Sequence, residues 1–337
     1  MRCFKFLKIT VTVILAGIIF SCAQSPYFRH EGATQGTYYV VVYQSPEGVD
    51  YEKEIIQLLY DFSESLSIYN PNSLISRINK NDTTAVVDRY FRTVFNKAAE
   101  VHIASDGAFD ITISPLVNFW GFGFTDNIPD IDPHRIDSLM QFVGMDKIRI
   151  EGDKVIKDLP GVMLDMNAIA KGYAVDVVAD FLKSKNCRNF LVDIGGEAAA
   201  SGVNASGVAW RIAVEKPVEG AGYGELRQAI VFLKDKAIAT SGNSRRFFEI
   251  DGVKYAHTID TKTGYPVRHN LLSATVVAAD CMTADAWATA CMASGLEKSI
   301  LLLQQNPQLD ALLIYSDEYG NYKTYATKGL DALIYDN

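Results

Sequence analysis

Apolar residues in YEKEIIQLLYDFSESLSIY recur at Ile55, Leu58, Leu59, Phe62 and Leu66, a 3.6-residue period that predicts an amphipathic helix. Phe91 to Ser105 predicts a second, ending at SDGAFD. DPHRIDSLMQFVG predicts a short one with proline just inside its start, and Ala168 to Lys185 a long one entered directly from VMLDMN. TYYVVVY, Thr37 to Tyr43, reads as a strand, as do FLVDIGGEAAASG, WRIAVEKP, RQAIVFLKDKAIATSG and SATVVAA. Three stretches predict hairpins: DKIRIEGDKVIKD around Gly152-Asp153, RFFEIDGVKYAHTID around Asp251-Gly252, and Leu309 to Ala326. Hairpins outnumber βαβ alternation, which points to an α+β fold of mainly antiparallel sheets with packed helices. No linker rich in Pro, Gly or Ser divides the chain, so the expectation is one functional unit, two-lobed with a cleft. ADCMTADAWATACM, Ala279 to Met292, is apolar almost throughout and predicts a buried helix, yet it carries Asp285 and Thr289 four residues apart on one face.

The first residues follow a different pattern. Arg2, Lys5 and Lys8 precede the uncharged run Ile9 to Phe20, and a small residue and a cysteine follow. This is the layout of an export signal. Twelve helical residues rise only about 18 Å, short of a hydrocarbon core of roughly 30 Å. IFSC resembles a bacterial lipobox, with Cys22 as the residue that takes lipid after cleavage. The expected organisation is a signal peptide over 1–21, a tether over 22–31 and a catalytic domain over 32–337. Loss of the three leader cations takes 32 basic residues to 29 against 40 acidic ones, a mature net charge of −11. Such a chain is a poor partner for nucleic acid. Cys187, Cys281 and Cys291 are odd in number and lack C-x-x-C spacing, so they read as small buried hydrophobes.

The chain has no G-x-x-x-x-G-K-[ST] loop, no complete G-x-G-x-x-G, no G-x-S-x-G elbow and no zinc-spaced histidines. Polar residues gather instead in four apolar or glycine-rich settings: Asp110 in SDGAFDITISPLVNFWGFG, Asp165 and Lys171 in LDMNAIAKGYAVD, His257 after ATSGNSRRF in YAHTIDTKTGYP, and the Asp285 helix. Each has a structural alternative, and only Asp285 resists one. Asp110 can close an Asx turn and Asp165 can cap a helix, while Lys171 can extend to solvent and His257 can bond a strand end. Thr289 can bond back to its own helix. A buried carboxylate at 285 costs several kcal/mol unless a cation or donors meet it. Asp and Thr oxygens are hard ligands suited to Mg²⁺ or Ca²⁺.

In order along the chain, GATQGTYY, SLSIYNPNSLISRIN, GAFDITISPLVNFWGFG, LDMNAIAKGYAVD, LVDIGGE, AIATSGNSRRF, YAHTIDTKTGYP and TADAWATACM together resemble the ApbE family of FAD:protein FMN transferases. The resemblance runs from about Gly32 to Ala293. It implies an exported Mg²⁺-dependent enzyme that moves the FMN half of FAD onto a threonine or serine hydroxyl of a partner and releases AMP. The implied acceptor is a flavoprotein subunit of a membrane redox complex or a related electron carrier. The implied location is the periplasmic side of a bacterial membrane, through a lipid anchor. By motif, Asp285 and Thr289 with the carbonyls of Ala168 and Ala288 are similar to the family's Mg²⁺ contacts. Gln35, Tyr69, Ala108, Phe109, Asp110, Asp165 and Lys171 are similar to its FAD contacts, and His257 lies in the motif of its catalytic base. Gln35, Asn167 and Thr261 depart from the family's usual Met, Gly and Pro. FAD pyrophosphatase activity at the same metal site, or FAD binding without chemistry, remain the alternatives.

Overall fold

A computed structural model describes residues 25–123, 131–218, 220, 225–243, 247–250 and 253–335. Its frame is an eight-stranded antiparallel sheet in the order β1-β2-β5-β6-β9-β12-β13-β14. The strands are β1 (Tyr27–Thr34), β2 (Thr37–Gln44), β5 (Phe190–Ile194), β6 (Glu197–Ser201), β9 (Lys236–Gly242), β12 (Leu271–Ala278), β13 (Asp310–Ser316) and β14 (Tyr322–Ala326). Between β2 and β5 the chain leaves the sheet to build α1 (Glu52–Leu66), α2 (Leu74–Asn79), α3 (Arg89–Ala104), α4 (Ser114–Phe119), α5 (Pro133–Met140), the hairpin β3 (Ile148–Glu151) and β4 (Lys154–Lys157), and α6 (Asn167–Ser184). The expected α+β class and the elements read from periodicity are all present. FLVDIGGEAAASG proves to be two strands, turning at Gly195 and Gly196, whose φ values of 65° and 102° suit a tight hairpin.

The helix read from ADCMTADAWATACM is α7 (Cys281–Ser294), followed by α8 (Leu296–Gln305). Ten of its fourteen residues are buried, Asp285 among them. It packs with α6 on one face of the sheet, over small residues such as Ala199, Ala237 and Ala239. The opposite face holds a smaller core that includes Ala198, Ala200 and Ile238. That core is closed by a second sheet, β15 (Ile334–Tyr335), β8 (Arg227–Leu233) and β7 (Trp210–Glu215), with α9 (Lys328–Asp331). RQAIVFLKDKAIATSG is thus split between the two sheets at Asp235. A third cluster forms an aromatic lobe around fully buried Trp120, against α4, α5 and the hairpin β10 (Phe247–Ile250) and β11 (Val253–Ala256).

The tether expected over 22–31 is shorter than its sequence suggests. From Tyr27 the chain is β1, paired in register from Tyr27 with Gln44 to Thr34 with Thr37. YFRHEGAT is an edge strand whose residues are half-buried or exposed, so it lacks the apolar alternation that marked its partner. The stretch read as a signal peptide, residues 1–21, and Cys22 lie outside the described residues. Among those residues no helix is long and apolar enough to cross a membrane.

Candidate active site

The helices, the sheet end, the aromatic lobe and β7 meet around a cavity of about 840 Å³, within the range of small-molecule sites. Three loops that supply its walls are tied to one another. Asp165 N–H donates to the Ile111 carbonyl at 2.8 Å, and Ile113 bridges Met163 in parallel. Thr261 Oγ1 donates to the Gly107 carbonyl at 2.6 Å, which fixes the His257 loop to the Ala108–Asp110 segment. These bonds explain how residues spread over almost 150 positions share one surface.

Asp285 projects from α7 toward α6, where its Oδ2 accepts the Gly172 N–H at 2.9 Å. Gly172 permits this crossing, since a Cβ there would lie 2.7 Å from Asp285 Cβ and closer still to the Cys281 carbonyl oxygen. Asp176, one turn on, accepts the N–H groups of Cys281 and Met282 at 2.8 Å each and so fixes the start of α7. Burial raises the Asp285 pKa, while the nearby Lys171 ammonium and the Gly172 N–H pull against it. Thr289 Oγ1, one turn along α7, lies 3.2 Å from Ser241 Oγ at the end of β9.

Lys171 does not extend to solvent. Its Nζ is ion-paired with Oε1 of Glu197, the first residue of β6, which is only 4% exposed. Burial works against the ammonium, but the Glu197 and Asp285 carboxylates hold its pKa above the ordinary value. Burial likewise raises Glu197, with Lys171 opposing. Glu197 Oε2 is buried without a hydrogen-bond partner. Two carboxyl groups, Glu197 and Asp285, and one amine, Lys171, therefore make up the buried floor of the cavity.

Asp110 does close an Asx turn, with Oδ1 accepting from Thr112 N–H at 2.7 Å, and it also lines the cavity. Burial raises its pKa against the Thr112 bonds and His102. Asp165 accepts the Asn167 N–H at 2.8 Å at the mouth of α6. The His257 ring meets the edge of Phe122, with centroids 6.3 Å apart.

Of the residues expected from sequence, Ala108, Phe109, Asp110, Asp165, Ala168, Lys171, His257, Asp285 and Thr289 all line the cavity. Ala288 is fully buried in α7, beside Thr289 but not on the lining. Gln35 sits at the β1–β2 turn with φ 49°, off the lining, with its Nε2 buried and unpartnered. Tyr69 is 59% exposed in the turn after α1 and is also off the lining. Glu197, Ser241 and the β7 wall with Arg211 were not anticipated. Glu197 carried the same signal as Asp285, a carboxylate opening the small apolar run EAAAS.

The donors suit a hard divalent cation. Asp285, Thr289 and Ser241 offer only oxygens. Ala168 lies in the first turn of α6 and lines the cavity, four residues before Gly172, whose N–H is bonded to Asp285. The buried floor has one orphaned carboxyl oxygen, Glu197 Oε2, that a cation nearby would offset.

Comparison with known proteins identifies the family. The ApbE family model matches residues 35–313. The FAD:protein FMN transferase of Vibrio cholerae is 39% identical over 311 residues, spanning 90% of this chain and 91% of the relative. That of Escherichia coli K12 is 32% identical over 315 residues, spanning 88% and 86%. The solved flavin transferase ApbE from Vibrio cholerae superposes with a TM-score of 0.81 at 36% identity, over 91% of this chain and 99% of that one. The apo flavinyl transferase ApbE of Pseudomonas stutzeri gives 0.80 at 33% identity, over 91% and 96%. With the family model matching most of its length and relatives above 30% identity covered almost end to end, the chain belongs to the ApbE family.

Proposed function

We propose that this chain is an FAD:protein FMN transferase that moves FMN from FAD onto a threonine or serine hydroxyl of a partner flavoprotein, with Mg²⁺ required and AMP released. The observation that carries the reading is the convergence of the Asp285–Thr289 oxygen pair, Lys171 and His257 on one cavity. Asp285, Thr289 and the carbonyls of Ala168 and Ala288 would hold Mg²⁺, which would neutralise diphosphate charge during transfer. The acceptor hydroxyl oxygen attacks the FMN phosphorus. Its proton passes to His257, a general-base contribution of roughly 10²–10⁴-fold. The phosphoanhydride bond breaks, and AMP leaves with the bridging oxygen and its electron pair. Phe109 and Phe122 supply apolar surface for a flat ring.

The acceptor is proposed to be a subunit of a membrane redox complex or a related carrier, met on the periplasmic side by an enzyme lipidated at Cys22. Two measurements test these statements. Intact mass of an acceptor domain incubated with the protein, FAD and Mg²⁺ should rise by one FMN, and EDTA or Asp285→Ala should abolish the gain. An unchanged acceptor with FAD split to FMN and AMP would mean hydrolysis, and intact bound FAD would mean a binding protein. Cys22→Ala should abolish metabolic labelling with a fatty acid, and persistent labelling would refute the anchor.

A further inference from the structure

The β5–β6 hairpin delivers Glu197 beneath the cavity at a position where a carboxylate is costly. The two glycines at 195 and 196 turn the chain with positive φ. Gly195 N–H is held by the Tyr38 carbonyl at 3.0 Å, and Gly196 N–H by Asp193 Oδ1 at 3.0 Å. The hairpin is therefore fixed from both sides. Its next residue, Glu197, faces the same side of the sheet as Ala199, toward α6 and α7. There Lys171 is its ion-pair partner among the described residues, and the Asp285 carboxyl group also acts on it.

Lys171 has two carboxylates within electrostatic reach, Glu197 and Asp285, and its ammonium is bonded to Glu197. Asp285 keeps the Gly172 N–H and its opening to the cavity. In a low-dielectric pocket, an ammonium and a divalent cation compete for the same carboxylate. Whichever acid holds Lys171 decides whether Asp285 is available.

We propose that Glu197 is a positioning residue that holds the Lys171 ammonium off Asp285 and so keeps the Asp285–Thr289 pair open to a divalent cation. The inference rests on the metal reading given above. Without the Glu197 carboxylate to bond it, Lys171 turns to Asp285 and the cation loses its ligand.

Mn²⁺ binding to the purified full-length protein in detergent tests this without FAD or turnover, by electron paramagnetic resonance of free Mn²⁺. Glu197→Gln keeps the side-chain shape and should raise the Mn²⁺ dissociation constant at least tenfold. Adding Lys171→Met to that variant removes the competing ammonium and should recover most of the loss. A Glu197→Gln protein that binds like wild type overturns the proposal. So does a double variant as weak as the single one, the result expected if Glu197 Oε2 bound the cation itself or merely shaped the pocket. A wild type that binds no Mn²⁺ would overturn the metal reading, and this inference with it. Melting temperature of each variant separates these outcomes from misfolding, and Glu197→Asp, with its charge intact, should bind more tightly than Glu197→Gln if the fold of the latter is impaired.

Discussion

Gly172→Ala is ordinarily a stabilising change in a helix, worth about 1 kcal/mol from propensity. Here the sign should reverse. The new Cβ would sit 2.7 Å from Asp285 Cβ and nearer to the Cys281 carbonyl, a backbone atom with no rotamer to yield. The two helices must separate, and overpacking of this kind costs about 1–3 kcal/mol. Separation also lengthens the Gly172 N–H bond to Asp285 Oδ2, a hydrogen bond to a charged group worth about 1.5–3 kcal/mol. Set against the propensity gain, the net loss is about 1.5–5 kcal/mol. For a chain of this size that corresponds to a melting temperature lower by roughly 2–8 °C. Differential scanning calorimetry reads it directly, and Mn²⁺ affinity should fall with it because Asp285 moves. A variant that melts at or above wild type, with Mn²⁺ affinity unchanged, would show that the α6–α7 crossing is not set by the missing Cβ.

Two other outcomes follow from the same helices. Mg²⁺ at a hundred times its dissociation constant should stabilise the wild type by about 2.7 kcal/mol. Asp285→Asn should show no Mg²⁺-dependent shift in melting temperature, and an equal shift would remove Asp285 from the metal site. Burial pushes Asp176 up to about 7, opposed by the Cys281 and Met282 N–H groups. Its folded pKa lies above the unfolded one, so its contribution to stability is present in acid and is lost as pH rises from about 4 through 7, by up to about 1.4 kcal/mol per unit. Urea unfolding at pH 5 and pH 7 should show that slope in wild type and a flatter one in Asp176→Asn; identical slopes would mean Asp176 stays ionised throughout.

Periodicity was informative wherever one face of an element is dry. Ile55, Leu59 and Phe62 point into the core of α1, and the alternation around Gly152 marks a real hairpin. It failed where burial is absent or complete. β1 escaped notice because its residues are neither alternating nor apolar, and its strand character comes from pairing with β2. The functional groups were legible for the opposite reason: Asp285 conflicts with the apolar helix around it. Glu197 conflicts with EAAAS in the same way, but its hydrophobic context is only four residues long and follows a glycine pair that reads as a turn. The ion pair between residues 171 and 197 could not be read at all, since nothing in either segment states that β6 lies under α6. Nor could the separation of β8 from β9, adjacent along the chain but placed in different sheets.

The early start of β1 would set how far the enzyme could roam if Cys22 carries the proposed lipid. Only four residues, Ala23 to Pro26, would then separate the anchor from a strand locked along its whole length to β2. Fully stretched, they reach about 14 Å. The catalytic body would be moored at the lipid surface instead of swinging on a long leash, and its encounters with substrate protein would become a search in two dimensions. An acceptor embedded in or tethered to the same membrane would gain from the shared confinement. One free in solution would have to come to the surface to be modified.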